Sequence, residues 1–190
     1  MARAKSEDKR LALLNAAIVV CAEEGLSART AKIARQAGVA EGTLFTYFAT
    51  KEVLFNQLYL HLKVELYHMM MPAYPEHADL KTQLKHVWLA YVNWGVKSDH
   101  ARQVMRLLML SPYLSDETKA ESSEIFKSQE QLLGRLATEV QLYDYPKDFL
   151  AAFIRCSAEM TMDLILLNPE QATEYADAGF ELFWRGICRE

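Results

Sequence analysis

The stretch Thr30-Ala31-Lys32-Ile33-Ala34-Arg35-Gln36-Ala37-Gly38-Val39-Ala40-Glu41-Gly42-Thr43-Leu44-Phe45-Thr46-Tyr47-Phe48 decides how this chain folds. It reads as two short helices, 31–37 and 42–48, that meet at Ala37-Gly38-Val39. Gly38 can take the left-handed conformation that ends a helix without a Cβ penalty. Val39 then plugs the corner, while Ile33, Leu44 and Phe48 point back toward a preceding helix. Ala34 is small where two helices must cross closely. This spacing of Ala, Gly and apolar residues is a helix-turn-helix signature. Taken alone, the same residues also fit a plain αα-corner with a glycine turn.

Helical signals continue on both sides. Upstream, Leu11, Leu14, Ile18, Cys21 and Ala22 recur at helical spacing and make one apolar stripe that ends at Gly25. Downstream, a fourth helix opens after Thr50 and runs to about Met71, where Pro72 and Pro75 stop it. Such a helix is about 30 Å long, enough to join two modules. Leu84, Val87, Trp88, Tyr91, Val92 and Gly95 mark one face of a fifth. Ser98-Asp99 caps a sixth, which ends at Ser111-Pro112. Ser115, followed by Asp116 and Glu117, starts a seventh that lasts to about Gln141. Asp144-Tyr145-Pro146 and Asn168-Pro169 place Pro where a first helical turn accepts it, opening an eighth and a ninth. No Val/Ile/Thr alternation and no Asn-Gly hairpin occurs. The expected fold is all-α, with about nine helices.

Composition agrees with this reading. Of the 190 residues, 51% are hydrophobic and 24% charged, and only 7 Gly and 5 Pro are present, too few breakers for a many-turned β-sandwich. The net charge of −4 hides an asymmetry: residues 1–55 carry 8 Lys+Arg against 6 Asp+Glu, and the remainder 13 against 19. A slightly basic head on an acidic body suits a small DNA-reading module joined to a different one. Cys21, Cys156 and Cys188 lie far apart with no Cys-x-x-Cys pair, which argues against a disulfide framework or a thiolate zinc site. The basic residues Arg3, Lys5, Lys9 and Arg10 before the apolar run 11–22 imitate a secretory signal. Glu7, Asp8 and Asn15 spoil the imitation. No run approaches a membrane span. The expectation is a soluble, cytoplasmic protein without a membrane partner.

The segment Gly42-Thr43-Leu44-Phe45-Thr46-Tyr47-Phe48, followed by Thr50-Lys51-Glu52-Val53-Leu54, resembles the TetR family of bacterial transcriptional regulators. In that family the recognition helix follows Ala-Gly-Val with Gly-[Ser/Thr]-x-[Tyr/Phe]-x-[Tyr/His]-Phe, and a Lys opens the next helix. The motif match covers about residues 11–58. The resemblance implies a three-helix DNA-binding domain over 1–50, a connecting fourth helix over 51–71, and an effector-binding and dimerisation domain over 72–190. It implies that Thr43, Phe45, Thr46 and Tyr47 fall where the family touches DNA.

Residue chemistry supports this on its own terms. Thr43, Thr46 and Tyr47 put hydroxyls on one short helix, suited to phosphate oxygens or base edges. Gly42 allows close backbone approach, Lys51 brings charge to a phosphate, and Arg29 and Thr30 begin the second helix at phosphate height. Arg3, Lys5, Lys9 and Arg10 suggest a flexible arm for the minor groove. Phe45 lacks the hydroxyl of the family's frequent Tyr, and Ala40 stands where a capping Ser is usual. Glu41 places a carboxylate at the tip, suited either to the helix dipole or to cytosine N4; the dipole role is the stronger reading.

The remaining constellations are weaker. Trp88, Tyr91, Met105, Met109 and Phe126 are large and polarizable, as a plain core would also use, and by resemblance line an effector pocket; Met in particular suits adaptable pockets. Phe149, Phe153, Met160 and Leu164 on the eighth helix, with Ala176, Gly179, Phe183 and Ile187 on the ninth, are expected at a homodimer interface. Glu159 and Asp163, four apart, suit a cationic ligand or plain solvent. His61, Glu65 and His68 share a helix face, but no fourth ligand is evident and no metal site is assigned. No Gly-rich phosphate loop, Gly-x-Ser-x-Gly elbow or His-Glu-x-x-His motif occurs, so no catalytic residues and no cofactor are assigned. The expected function is a DNA-binding regulator, a repressor released from a palindromic duplex operator by a small-molecule effector. A helical ligand-binding dimer without DNA binding and an all-α enzyme remain the alternatives.

Overall fold

The computed structural model describes residues 2–139 and 147–187, and these form helices and connections with no strand among them. α1 (Ala2–Glu24) closes in a 3-10 turn, Gly25–Ser27. It is followed by α2 (Thr30–Gln36), α3 (Glu41–Tyr47), α4 (Lys51–Met70) and α5 (Leu80–Lys97). Then come α6 (Asp99–Met109), α7 (Asp116–Ile125), α8 (Lys127–Glu139), α9 (Lys147–Leu167) and α10 (Ala172–Ile187).

Side chains satisfy the orphan amides that start several of these helices. Thr50 Oγ1 accepts from the Val53 amide at 3.2 Å to open α4, and Ser115 Oγ accepts from the Thr118 amide at 3.2 Å to open α7. Asp79 opens α5 by accepting from the amide and the hydroxyl of Thr82, both at 2.9 Å. Those bonds hold the Asp79 carboxyl below the usual carboxylate range.

The chain divides into two compact units, Met1–Glu65 with Asp99–Ser122, and Leu66–Ser98 with Ser123–Glu190. In the first, α1 packs against α2 and α6, and α2 against α3. Its interior is built from Leu13, Leu14, Ile33, Leu44, Phe48, Phe55 and Leu108, all fully buried. Side chains of this size each contribute about 1.5–3 kcal/mol when removed from water. Asn56 on α4 ties down the connection after α6: its amide donates to the Tyr113 carbonyl at 2.8 Å and accepts from the Ser115 amide at 2.9 Å. In the second unit, α5 packs against α9, α10 and α8. Leu84, Trp88, Leu136, Met162, Phe180 and Phe183 form its core. Ion pairs Lys81–Glu181 (2.9 Å) and Lys85–Asp177 (2.8 Å) link α5 to α10.

Several expectations from sequence change here. The expected seventh helix is two, α7 and α8, parted at Phe126. The half-buried Phe126 ring meets Tyr67 edge-on at 6.0 Å, and this tertiary contact outweighs a modest helical preference. The described residues therefore hold ten α-helices rather than about nine. Asn168-Pro169 opens a 3-10 turn, Pro169–Gln171, and α10 begins only after it. The expected helix start at Asp144-Tyr145-Pro146 lies outside the described residues. The basic N-terminal segment is no loose arm but part of α1, and the Arg10 guanidinium bonds to Glu7 at 2.8 Å and to Gln57 at 3.3 Å. Among the described residues, no helix is long and apolar enough to cross a membrane.

Candidate nucleic-acid interface

The turn between α2 and α3 is set by Gly38. Its φ of +72° lies in the left-handed region, the Val39 amide reaches back to the Ala34 carbonyl at 3.0 Å, and the Gly38 amide to Arg35 at 3.1 Å. This paired arrangement is the Schellman motif, which terminates α2 and redirects the chain. Buried Leu44 and Phe48 anchor α3 against the rest of the unit, with Ile33 and Ala34 buried on α2. One face of α3 is thus consumed by packing.

The other face is open. Glu41, Gly42, Phe45 and Thr46 are exposed, and Thr43 and Tyr47 are half-buried beside them. Phe45, 43% exposed, puts an apolar ring on this open face. The Thr46 hydroxyl donates to the Gly42 carbonyl at 3.1 Å, so toward a ligand it offers a lone pair and a methyl group rather than a proton. Lys51 begins α4, with its ammonium 5.4 Å from the centre of the Phe55 ring. The Thr30 hydroxyl donates to Glu41 Oε1 at 2.6 Å, so the carboxylate, which lies in the first turn of α3 where the dipole reading expects it, also joins the first turns of α2 and α3.

A cleft of about 440 Å³ opens between the end of α1 and α2, lined by Glu24, Ser27, Arg29, Ala31, Lys32 and Arg35. Lys32 is held by Glu24 at 2.6 Å and Glu23 at 3.3 Å, and these bonds raise its pKa. Arg29 and Arg35 are exposed. The positive charge open to an anion here therefore belongs to Arg29, just ahead of α2, and Arg35 on it rather than to Lys32.

The residues expected around an effector are not gathered in one unit. Met105 and Met109, both half-buried on α6, belong to the first; Trp88, Tyr91 and Phe126 belong to the second. Trp88 is core. Its indole stacks on Phe183 at 5.8 Å, meets Phe180 edge-on at 6.0 Å, and donates to the Ala176 carbonyl at 3.0 Å. The half-buried Tyr91 donates to Glu159 at 2.8 Å, which engages one of the pair Glu159 and Asp163. Among the described residues, no three His, Cys, Asp or Glu side chains are placed to hold a metal ion, and His61, Glu65 and His68 do not converge.

The expected dimer residues split into two sets. Phe149, Phe153, Met160 and Leu164 are exposed on α9. Ala176, Phe183 and Ile187, by contrast, are buried in their own unit, and a Cβ at Gly179 would run into Thr161 Oγ1. These four belong to the packing of α10 against α5 and α9, not to an outer surface. Sequence reasoning overlooked Ala178 and Leu182, which are exposed on the outward face of α10 with Gly186, and also Cys156 and Leu167 on α9. The intervals 149, 153, 156, 160, 164 and 167 already carried the heptad-like signal for the α9 stripe.

Residues 13–58 match the family model described as bacterial regulatory proteins, tetR family. A fatty acid metabolism regulator protein of Bacillus subtilis (strain 168) is 30% identical over 132 residues, covering 69% of this chain and 67% of that one. The structure described as a putative tetR family transcription regulator from Shewanella sp. PV-4 superposes with a TM-score of 0.83 at 26% identity, over 96% of this chain and 99% of the other. The transcriptional regulator FadR from Bacillus subtilis, solved in complex with stearoyl-CoA, has a TM-score of 0.68 at 23% identity, over 91% of this chain and 96% of that one.

Proposed function

The chain belongs to the TetR family of bacterial regulatory proteins and is a ligand-responsive, DNA-binding transcription regulator, and from that premise we propose that it is a cytoplasmic repressor that grips a palindromic operator as a homodimer and releases it when a small molecule binds. Residues 1–50 read DNA, 51–71 connect, and 72–190 hold the effector and the second subunit. The observation that carries the reading is the outward face of α3: Gly42, Thr43, Phe45, Thr46 and Tyr47 stand clear of two buried anchors, Leu44 and Phe48. Lys51, Arg29 and Thr30 flank that face and serve the phosphates or the helices that meet them.

The apolar stripe of Phe149, Phe153, Met160, Leu164 and Leu167 on α9, beside Leu182 on α10, gives a second copy of the chain a surface to cover. Two copies would set two recognition helices on successive major grooves, about 34 Å apart. The chain passes from the first unit to the second within α4, at residues 65 and 66, so this one helix belongs to both units. A typical coupling of about 1–3 kcal/mol changes operator affinity about 5–150-fold. Tyr91 and Phe126 supply aromatic surface for an effector. The fatty acid metabolism regulator among the relatives, and the neighbour solved with stearoyl-CoA, make a long-chain acyl-CoA thioester the first effector to try.

The test is a duplex selected by the protein from a random library, followed by affinity measurements over a salt series with and without stearoyl-CoA. The selected site is expected to be palindromic. Lys51→Ala should weaken binding to all duplexes alike and reduce the salt slope by about 1. Selection of no duplex, or release by no acyl-CoA chain length, overturns the DNA-reading and the effector assignment respectively.

A further inference from the structure

Neither short helix of the DNA-reading face is capped by the side chain before it. Ala40, ahead of α3, has no side chain able to cap, and Arg29, ahead of α2, accepts no capping hydrogen bond. Helices of seven residues do not sustain themselves in water, so their orientation must come from contacts outside their own ladders. The Gly38 turn fixes where α2 ends, and Leu44 and Phe48 fix which face of α3 points inward. What joins the two first turns is the hydrogen bond from the Thr30 hydroxyl to Glu41 Oε1 at 2.6 Å, in the short range of charge-assisted O–H···O bonds.

Resting on the DNA-reading role above, the geometry points to Glu41 as a positioning residue: its carboxylate takes the one proton of the Thr30 hydroxyl and sets the direction in which α3 leaves the turn. Thr30 then serves Glu41 rather than a phosphate. A hydroxyl has a single proton, and phosphate oxygens only accept, so Thr30 cannot clasp Glu41 and donate to DNA together. Glu41 keeps its negative charge in this clasp, so its repulsion of nearby phosphates persists as a cost beside the positioning gain. Glutamine at this position keeps a carbonyl acceptor for Thr30 while removing the charge; alanine removes both.

This difference makes a double-mutant cycle decisive. The probe is the duplex that the parent protein selects from a random library, with a scrambled duplex of equal length beside it. Thr30→Val and Glu41→Ala should each lower affinity for the selected duplex about three- to tenfold. Discrimination against the scrambled duplex should fall equally, which loss of folded protein alone would not change. The double variant should be no weaker than either single one. Thr30→Ser and Glu41→Gln, which keep the clasp, should bind the selected duplex as well as the parent or better. If Thr30→Val costs as much in the Glu41→Ala background as in the parent, Thr30 serves a phosphate directly and the inference falls. Failure of Thr30→Ser to restore discrimination also overturns it. A parent that selects no duplex overturns the DNA-reading role itself, an outcome distinct from additivity within the cycle.

Discussion

Gly38 in the first unit and Gly179 in the second are glycines for opposite reasons. At Gly38 the backbone demands it: φ is +72°, and a Cβ built there would meet nothing within 4 Å. At Gly179 the neighbours demand it. The residue sits inside α10, where a Cβ would collide with Thr161 Oγ1 and come within 3.1 Å of Trp88 Cζ2. The first requirement is local and belongs to the chain's own geometry. The second is imposed by two other helices, and nothing within four residues of Gly179 announces it. In the first unit the glycine is set by turn chemistry, and in the second by close packing between long helices.

The comparison is tested most severely at Gly179. Thr161 cannot yield easily, because it is β-branched, 2% exposed, and its hydroxyl donates to the Ser157 carbonyl at 2.9 Å. Gly179→Leu should therefore lower stability by about 3 kcal/mol. The loss is read as a drop in melting temperature together with loss of near-UV circular dichroism from Trp88. Leu182, three residues on and 71% exposed, provides the control. Leu182→Glu should leave the melting curve of isolated subunits unchanged and shift the protein toward monomers in sedimentation. Retention of full stability by Gly179→Leu would mean that the α10 contact with Thr161 is loose, and the contrast between the two glycines would collapse.

A smaller loss is expected at Gly38. Ala in the left-handed region costs about 1–2 kcal/mol, and there is no steric collision to add to it. The effect should be confined to the first unit: hydrogen-exchange protection over residues 30–48 should drop while that of α5 and α10 holds. Asn, which tolerates this conformation better, should recover part of the loss. Equal loss of protection in both units would show that the turn is not an independent local device.

The same contrast explains which parts of the molecule were readable beforehand. Ala37-Gly38-Val39 and the helix starts at Thr50 and Ser115 are short-range patterns, and the structure has each of them in place. The α1 stripe is shifted: Leu13, Ala16, Ala17 and Val20 are buried with Leu14 and Cys21, while Leu11, Ile18 and Ala22 are half-buried. The Thr30–Glu41 bond joins side chains 11 residues apart, and no periodicity encodes it. α10 is apolar or small on two faces, 176/180/183/187 and 178/182/186. Sequence cannot choose between them, because inward and outward are decided by where α5 and α9 lie. The division at Phe126 has the same origin, a ring held by Tyr67 rather than a breaker in the sequence. Trp88 looked equally suited to a pocket or a core, and only its stacking on Phe183 and its bond to Ala176 assign it to the core.

The smallest effect concerns acid, and it should again separate the units. His61 on α4 is half-buried in the first unit, and burial lowers its pKa from the ordinary 6.5. Glu65 and Glu7 pull in the opposite direction, while Arg10 adds to the lowering. The sign follows from linkage: the neutral ring is favoured by the fold, so its contribution is complete above the unfolded value of about 6.5 and is lost as pH falls through the lower folded value. His61→Gln removes the titration while keeping a polar side chain of similar reach. The parent should therefore lose protection in α1 and α4 more steeply than this variant between about pH 7 and pH 5, with α5, α9 and α10 following the same curve in both. A steeper acid loss in the variant than in the parent would reverse the sign and place a favourable proton on His61 in the folded state.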